Sequence, residues 1–437
     1  MAATVSPRKT TSHVCHFKYM VDTPPLFLLL LWILWLGQAV VCATQVYRFL
    51  RKLNRKIRLK FATYRPRAWI IVPVKGLDDD LEGHIEALCK QSYEDYKVVA
   101  VVESKQDPAY PVLQQELARY PSRESRIVVA GVTYGGMSQK VHNQLAVLNI
   151  LDDECADEEV WVFADTDAVP GPDWLAMMVG PLQQRKKTGM TTGYRWLIPD
   201  AAGPTRTSMW SYFASTCNSS VACQLGPYRF NQAWGGSMAI HVEIARRGKL
   251  RERLQGSVTD DYRLTRMCRD LNLRVVFVPR CLVATPIAFD QARFFNFAFR
   301  QYLITRVYAP SLYVLALVFT SLYVMACSSA LFYVLRGLGQ LQPIGQWCFP
   351  LVIATMVFAA NQIRSSLRSR VIERAFGREM RQQMGRTLFV DRWLTGVWMT
   401  VHWVVVIRAG FGRTISWRGI RYRLESRDRL QRLPSAK

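Results

Sequence analysis

Three uncharged, apolar runs constrain this chain more than any other feature of its sequence. They cover residues 24–47, 307–335 and 337–363, and none of them contains Asp, Glu, Lys or Arg. Each run is long enough to cross about 30 Å of hydrocarbon, where only helices and closed barrels satisfy their backbone hydrogen bonds. The sequence therefore predicts a multi-pass membrane protein. A cleaved signal peptide is the alternative for the first run, but that run is longer than a typical signal core.

Basic residues beside these runs predict their orientation. The chain has 57 Lys+Arg against 33 Asp+Glu, a formal net charge of +24. The excess basic residues lie directly after the first run, in a loop at 364–393 and in a tail at 408–437. Because positively charged flanks of membrane segments tend to stay in the cytoplasm, each of these segments is predicted to be cytoplasmic. The apolar segment at 394–407 is only about 21 Å long at 1.5 Å per residue. It is therefore predicted to be re-entrant or interfacial rather than a full span.

The surplus of positive charge also indicates anionic partners, and its position beside apolar runs favours a membrane surface. The sequence has no zinc-finger spacing and no aromatic RNA-binding signature, so no nucleic-acid partner is expected. The ten cysteines are scattered without a C-x-x-C pair. That distribution predicts free thiols in a reducing compartment rather than a disulfide framework.

Residues 66–290 have the pattern of a globular α/β domain. Strands are predicted at 69–73, 98–102, 126–130, 160–164, 189–196 and 274–278, and helices at 82–91, 113–119, 139–151, 174–184 and 263–271. This alternation predicts a parallel, right-handed, doubly wound sheet. The stretch up to residue 230 is predicted to be a loop region. A polar tail at 1–23 is expected to be disordered, and an interfacial amphipathic helix is predicted at 291–306.

Two carboxylates, Asp165 and Asp167, follow the apolar strand predicted at 160–164. Open α/β sheets bind ligands at the carboxyl ends of their strands. Two carboxylates one residue apart can both reach a single hard cation, and Mg²⁺ or Mn²⁺ held by few protein ligands keeps room for diphosphate oxygens. A solvated turn is the alternative, because turns are rich in Asp.

Two further acidic stretches are candidates for binding or catalysis. A carboxylate of Glu103 or Asp107, after the second strand, could accept a hydrogen bond from the base or sugar of a nucleotide. On those residues alone a helix-capping turn at Asp107 is favoured. Asp260 and Asp261 precede a helical run, where capping is again an alternative. Together with the earlier pair they favour a general base, whose pKa a neighbouring acid and a low dielectric would raise.

Arginines near the membrane segments form the last candidates. Arg300 lies where the globular domain meets the second run, where it could bind lipid phosphate or neutralise a departing diphosphate. In the tail, Trp417, Arg418 and Arg421 alternate aromatic and basic side chains. They belong either to a lipid-facing basic run or to the wall of a site at the membrane surface.

This order of motifs resembles the plan of processive-type glycosyltransferase family 2 and, more closely, the ceramide glucosyltransferase family, glycosyltransferase family 21. The resemblance covers nearly the whole chain from the first run to the tail. The tail and the region of Asn143 are its most specific parts, and the D-x-D is the least specific. The local matches are 73–76, 106–109, 139–143, 165–167, 236–238, 260–262 and 414–424.

The resemblance implies a glycosyltransferase A-type, Rossmann-like α/β domain in the cytoplasm, with N-terminal and C-terminal transmembrane helices. It also implies a UDP-sugar donor, a divalent metal (Mn²⁺ or Mg²⁺) and a lipid acceptor. By position, Asp165 and Asp167 become ligands of the metal and diphosphate, and Asp261 becomes the general base with Asp260 beside it. The implied substrate-binding residues are Lys75, Glu103, Ser104, Asp107, Lys140, Asn143, Gln301, Trp417, Arg418 and Arg421.

The chain departs from the family pattern at two places. Ser104 falls where the family has its first aspartate, and Glu103 and Asp107 are the alternatives for that role. The family's (Q/R)-x-x-R-W element falls on 297–301, where Arg300 is kept, Phe297 holds the first position and Gln301 replaces the Trp. These differences indicate a variant subfamily.

The sequence thus predicts a membrane-bound, inverting glycosyltransferase that moves a sugar, first of all glucose, from UDP to a lipid hydroxyl. Ceramide is the first expected acceptor, and diacylglycerol or a polyisoprenoid or sterol lipid is the second. A non-catalytic membrane scaffold with a degenerate transferase domain is the alternative of a different class. The expected location is the Golgi or endoplasmic reticulum in a eukaryote and the inner membrane in a bacterium.

Overall fold

The computed structural model describes residues 24–55, 63–78, 80–167, 169–200, 208–228, 231–342 and 344–434. The polar tail predicted at 1–23 lies outside these residues, and so do Lys56, Arg58 and Lys60 of the basic flank after the first run.

The globular α/β part of the chain is built on a seven-stranded sheet with the order β3-β2-β1-β4-β6-β5-β7. Every neighbouring pair is parallel except those made by β6, which runs antiparallel to both β4 and β5. The strands are β1 (Ala68–Pro73), β2 (Tyr96–Val102), β3 (Ser125–Val129), β4 (Val160–Ala164), β5 (Thr188–Pro199), β6 (Ser237–His241) and β7 (Arg274–Ile287).

The prediction of a wholly parallel sheet is therefore wrong at β6. The chain re-enters the sheet at the edge where β4 ends, since Ser237 lies opposite Ala164. A strand that begins where its neighbour ends must run the other way. The reversal brings Gly235 and Gly236 directly beside the carboxyl end of β4.

Helices cover both faces of this sheet, as the alternating pattern predicts. Along β1, Ile70 and Val72 pack on one face and Trp69 and Ile71 on the other, so the strand is buried on both sides. One face carries α2 (Leu81–Cys89), α3 (Ala109–Ala118) and α5 (Trp174–Val179), and the other carries α4 (Gln139–Glu154), α7 (Val242–Arg247), α8 (Leu250–Leu254) and α9 (Asp261–Asp270). The predicted α/β class is confirmed.

One helix of this region was not predicted. The stretch expected to be a loop up to residue 230 contains α6 (Met209–Ala222), whose Phe213 and Ala214 pack among the membrane helices. A helix rich in Ser and Thr lacks the strong apolar period that identifies helices from sequence.

Within the described residues, three helices are long and apolar enough to cross a membrane: α1 (Leu26–Asn54), α11 (Pro310–Gly339) and α12 (Cys348–Phe376). They correspond to the three apolar runs of the sequence. Large apolar side chains such as Leu30, Leu34 and Val318 stay exposed on their outer surfaces, as lipid-facing residues do.

The basic segment at 364–393, predicted to be a cytoplasmic loop between membrane segments, is largely helical. It contains the end of α12, then α13 (Arg378–Gln383) and α14 (Gly385–Trp393). The physical reason is that two of its arginines are neutralised inside the protein. Arg364 and Arg368 are buried and donate to the same oxygen of the buried Asp391, at 3.0 and 2.7 Å.

The last third of the chain brings membrane helices and catalytic domain together. The helix expected at 291–306 is observed as α10 (Gln291–Tyr308), and the short apolar segment as α15 (Thr395–Gly410). The tail folds into an antiparallel sheet of β8 (Thr414–Trp417), β9 (Ile420–Leu424) and β10 (Leu430–Leu433), which was not predicted. Its inner residues pack against α10 and the catalytic domain through Leu303, Ile304 and Val258.

Candidate active site

A cleft opens at the carboxyl ends of β1 and β4, the edge of the sheet at which the sequence predicts a ligand. Its walls come from three parts of the chain: the strand ends, the start of α4, and the hairpin formed by β8 and β9. The lining residues are Pro73, Val74, Lys75, Ser138, Gln139, Lys140, Asn143, Asp165, Thr166, Asp167, Trp417, Arg418, Ile420 and Tyr422.

Lys140 links the two acidic motifs that the sequence places almost a hundred residues apart. Its Nζ lies 2.8 Å from Asp165 Oδ1 and 3.2 Å from Asp260 Oδ1. Gln144, one turn further along α4, donates to the other oxygen of Asp260 at 2.6 Å. Asp260 is therefore buried and bonded at both of its carboxylate oxygens.

The ion pairs of Lys140 depend on a glycine from the reversed strand. A Cβ built at Gly235 would lie 2.6 Å from Lys140 Nζ and 2.8 Å from Asp260 Oδ1. Burial by itself would lower the pKa of Lys140, but Asp165 and Asp260 raise it above its usual range. Burial raises the pKa of Asp165, and the charge of Lys140 opposes that rise.

Asp261 is the first residue of α9 and stands beside this buried network. Its Oδ1 accepts hydrogen bonds from Thr259 Oγ1 and, at 2.7 Å, from the backbone N–H of Tyr262. Its Oδ2 accepts no hydrogen bond from the described part of the chain. Burial and then the charge of Asp260 raise the pKa of Asp261 to about 6. Such a carboxylate is ionised at neutral pH and is still basic enough to take a proton.

Asp167, the second acid of the D-x-D, lines the same cleft as Lys140. Its Oδ2 pairs with Arg195 at 3.4 Å, whereas its Oδ1 is buried and has no partner among the described residues. A buried carboxylate oxygen without a donor fits a metal ligand. No cluster of three or more His, Cys, Asp and Glu in the described ranges could hold a metal by itself. Asp165 and Asp167 would need oxygens from a bound substrate to complete its coordination.

Arginines converge on Asp167 from two other elements. Arg195 comes from β5, and its guanidinium lies 5.0 Å from the ring centre of Phe297. Arg300 comes from α10 and lies 5.7 Å from the same ring and 5.5 Å from that of Trp417. Burial, followed by the charge of Arg195, lowers the pKa of Arg300 to about 10, so Arg300 stays charged at neutral pH.

The β8–β9 hairpin closes the cleft from above. Its two-residue turn, Arg418 and Gly419, has φ values of 49° and 76°, the primed geometry that twists correctly between antiparallel strands. Arg418 donates to Asp78, and the second oxygen of Asp78 accepts from Thr166 Oγ1, inside the D-x-D. An L-residue at positive φ is strained, and this ion pair holds it in place.

The residues after β2 provide fewer side chains for substrate binding than the sequence predicts. Lys75 lines the cleft and pairs with Glu103. Asp107 accepts from the backbone N–H groups of Gly76 and Ala109, at 3.0 and 2.9 Å, so its carboxylate holds the loop and starts α3. The capping alternative therefore describes Asp107, and Glu103 remains the carboxylate available beside Ser104.

Three other predicted binding residues have positions that change their interpretation. Asn143 is buried and donates to the carbonyls of Val74 and Val101 at 3.5 and 3.4 Å, which joins the ends of β1 and β2. Gln301 lies next to Arg300 on α10 but does not line the cleft. Arg421 is on the exposed face of β9, because Ile420 and Tyr422 take the inner positions. Arg421 is absent from the lining of the cleft, and its role in substrate binding stays a prediction.

The structure also adds three residues that the sequence did not single out: Asp78, Gln144 and Arg195. A signal for Arg195 exists, since a charged side chain within the largely buried stretch 188–199 is uncommon without a partner. Asp78 and Gln144 have no such signal, because their roles depend on neighbours far away in sequence.

A mixed α/β sheet that presents paired carboxylates and arginines at one cleft, beside membrane helices, defines a membrane-associated glycosyltransferase of A-type fold. The model of the family "Glycosyl transferase family 21" matches residues 33–430, so the chain belongs to that family. The resemblance seen in the sequence is confirmed, and so is the assignment of the chain as a glycosyltransferase.

Individual relatives are more distant. A ceramide glucosyltransferase of Gibberella zeae is 27% identical over 161 residues, which cover 35% of this chain and only 30% of that protein. A mannosyltransferase from Pyrobaculum calidifontis, solved with GDP-Man and Mn²⁺, has 15% identity and a TM-score of 0.45, covering 88% of this chain and 97% of its own. A glucosyl-3-phosphoglycerate synthase from Mycobacterium tuberculosis, solved with Mn²⁺ and uridine-diphosphate-glucose, has 13% identity and a TM-score of 0.34. That alignment covers 56% of this chain and 79% of the synthase.

Proposed function

We propose that this glycosyltransferase moves glucose from UDP-glucose to the primary hydroxyl of a membrane lipid, with ceramide as the first candidate acceptor. The sphingolipid acceptor and the donor sugar follow the name of the Gibberella zeae relative and the family of the chain. The catalytic domain is proposed to face the cytoplasm, in the Golgi or endoplasmic reticulum of a eukaryote or at the inner membrane of a bacterium.

One observation carries this proposal: Asp261 has a carboxylate oxygen without a hydrogen-bond partner in the described part of the chain, beside the Lys140–Asp260 pair, while Asp167 lines the cleft with Arg195 and Arg300 near it. The surroundings of Asp261 suit a proton acceptor, and those of Asp167 suit a diphosphate with its metal. A transfer that breaks a sugar–diphosphate bond needs these two functions on opposite sides of the anomeric carbon.

The reaction then follows from the roles of the chain's own residues. Asp261 takes the proton of the acceptor hydroxyl as its oxygen attacks the anomeric carbon. Asp260, held by Lys140 and Gln144, keeps Asp261 in place and raises its basicity. Arg300 faces the departing diphosphate. A bound Mn²⁺ or Mg²⁺ would neutralise diphosphate charge at Asp165 and Asp167. A single displacement inverts the anomeric centre, so an α-linked donor gives a β-glucoside.

The position of the cleft supports a lipid as acceptor. Arg300 and Thr305 belong to α10, which leads directly into the membrane helix α11 at Pro310. Tyr262, next to the proposed base, shares a hydrogen bond of 2.7 Å with Thr305. The base is therefore coupled to the helix that enters the membrane, and a hydroxyl at the membrane surface is close to it.

Product analysis tests the donor and the acceptor together. Purified membranes containing the protein are incubated with radiolabelled UDP-glucose or UDP-galactose and with ceramide, diacylglycerol or a sterol. A labelled β-glucosylceramide is expected, and membranes from cells without the gene provide the control. Label in a diacylglycerol or sterol product would keep the enzyme class and replace the acceptor. The absence of any labelled lipid with every donor would contradict the proposal.

The orientation has its own test. An Arg421→Cys variant carries a thiol on the exposed face of β9, whereas Gly419 adopts a positive φ that suits cysteine poorly. In sealed vesicles, a membrane-impermeant thiol reagent is expected to label this cysteine only from the cytoplasmic side. The parent chain, whose Cys42 and Cys327 are partly exposed, supplies the background. Labelling from the opposite side would place the tail outside and would make α15 a fourth span.

A further inference from the structure

Arg195 lies near the proposed diphosphate site, but the reaction described above gives it no step of its own. It lies within β5, and its side chain is only 13% exposed. Its guanidinium lies over two rings, 5.7 Å from the centre of Trp234 and 5.0 Å from that of Phe297. Two cation–π contacts and low exposure restrict the guanidinium more than a solvated surface position would.

The surroundings of Arg195 carry more positive than negative charge. Arg195 and Arg300 stack on the same Phe297 ring, and Arg418 is near enough to act on the charge of Arg300. Two carboxylates face these three arginines: Asp167, at 3.4 Å from Arg195, and Asp78, which accepts from Arg418. Bringing like charges together in a half-buried site costs free energy, and an anion that binds between them offsets that cost.

The position of Arg195 also explains an unusual residue in the arginine motif of α10. The family pattern begins with Gln or Arg where this chain has Phe297. The guanidinium of Arg195 lies over the ring of that same Phe297. A polar side chain is thus present at this place in the cleft, but β5 supplies it instead of α10.

We propose that Arg195 binds the diphosphate of the sugar donor and, together with Arg300, stabilises it as it leaves. This inference rests on the proposed function. During transfer the bond between the anomeric carbon and the diphosphate oxygen breaks, and its electron pair stays on that oxygen. The acceptor oxygen forms the new bond, its proton goes to Asp261, and the diphosphate gains one negative charge. A guanidinium fixed in advance near that oxygen stabilises the developing charge.

Nucleotide binding tests this role without depending on the acceptor. The affinities of UDP and UMP for the purified full-length protein are measured by titration calorimetry in Mn²⁺ and again in excess chelator. Arg195→Ala is expected to weaken UDP binding by about 10–100-fold and to leave UMP nearly unchanged, because UMP lacks the second phosphate. The UDP affinity of Arg195→Lys is expected to lie between those of the wild-type protein and Arg195→Ala, because lysine keeps the positive charge but lacks the planar, bidentate guanidinium. Arg293→Ala, at an exposed position on α10, is the matched control.

The outcomes separate the possible roles of Arg195. A loss of UDP affinity that persists in chelator supports direct contact with the diphosphate. Equal weakening of UDP and UMP, or an effect confined to the metal-containing samples, overturns the proposal and leaves Arg195 as a support for Asp167 or Trp234. If the wild-type protein binds neither nucleotide, the proposed donor is wrong, and the proposed role of Arg195 is wrong as well. In Arg195→Ala the turnover number is also expected to fall by about 10²–10³-fold.

Discussion

Replacing Asp261 with Asn is expected to reduce sugar transfer by about 10²–10⁴-fold or more and to leave donor binding nearly unchanged. The amide keeps the shape of the carboxylate and can still accept the hydrogen bond from the N–H of Tyr262. It cannot take a proton from the acceptor hydroxyl. Initial rates and UDP affinity, measured on the same preparation, separate the two effects. Asp270→Asn, at the other end of α9, serves as the control.

The neighbouring acid and the pH profile sharpen this test. Asp260 is bonded at both oxygens, so Asp260→Asn should disturb Lys140 and lower the rate through misalignment. Because burial and Asp260 raise the pKa of Asp261 to about 6, the wild-type rate should be retained above pH 6 and decline as Asp261 becomes protonated below it. Near-normal turnover in Asp261→Asn, with a severe loss in Asp260→Asn, would make the neighbour the base.

Removing the metal is expected to have an effect of similar size. Excess chelator should stop transfer and Mn²⁺ or Mg²⁺ should restore it, since a divalent cation at a diphosphate contributes several kcal/mol to transition-state stabilisation. Asp167→Ala should weaken donor binding and lower the rate by about 100-fold or more, because it removes the buried, unpartnered Oδ1 and releases Arg195.

The control for this experiment is Asp153→Ala, an exposed aspartate on α4 that lies away from the cleft. Donor affinity and rate are measured for both variants across a range of Mn²⁺ concentrations. Full activity of the wild-type protein in excess chelator would mean that Asp165 and Asp167 form only a turn.

Local patterns in the sequence were sufficient for the central strands and for the acidic motifs. The strand at 160–164 is observed at the predicted residues, because an apolar run followed by two aspartates is a signal contained in a few neighbouring residues. The helix after Asp260 and the three membrane helices are equally local. Each of these predictions needs only the period of apolar residues and the residues that end it.

What the sequence could not supply depends on register and on distant partners. The direction of β6 follows from where the chain re-enters the sheet, and no local pattern encodes that. Arg195 reaches Asp167 from β5, across 28 residues of sequence, and no local pattern encodes that contact. The sequence of the tail does contain a pattern typical of a strand, because Ile420, Tyr422 and Leu424 alternate with exposed arginines. The many basic residues of this segment made that alternation hard to recognise.

The position of the β8–β9 hairpin near the end of the chain affects the order in which the site is synthesised and assembled. Trp417 and Arg418 wall the cleft, yet α10, α11, α12 and α15 lie between the catalytic acids and that hairpin in the chain. The ribosome synthesises Asp165 and Asp261 well before it synthesises Trp417 and Arg418, which line the cleft. The site is therefore completed only after the intervening helices have entered the bilayer. A fragment that ends at residue 290 retains Asp165, Asp167, Asp260 and Asp261 but lacks Arg300, Trp417 and Arg418, so the cleft is complete only when the C-terminal part of the chain has folded.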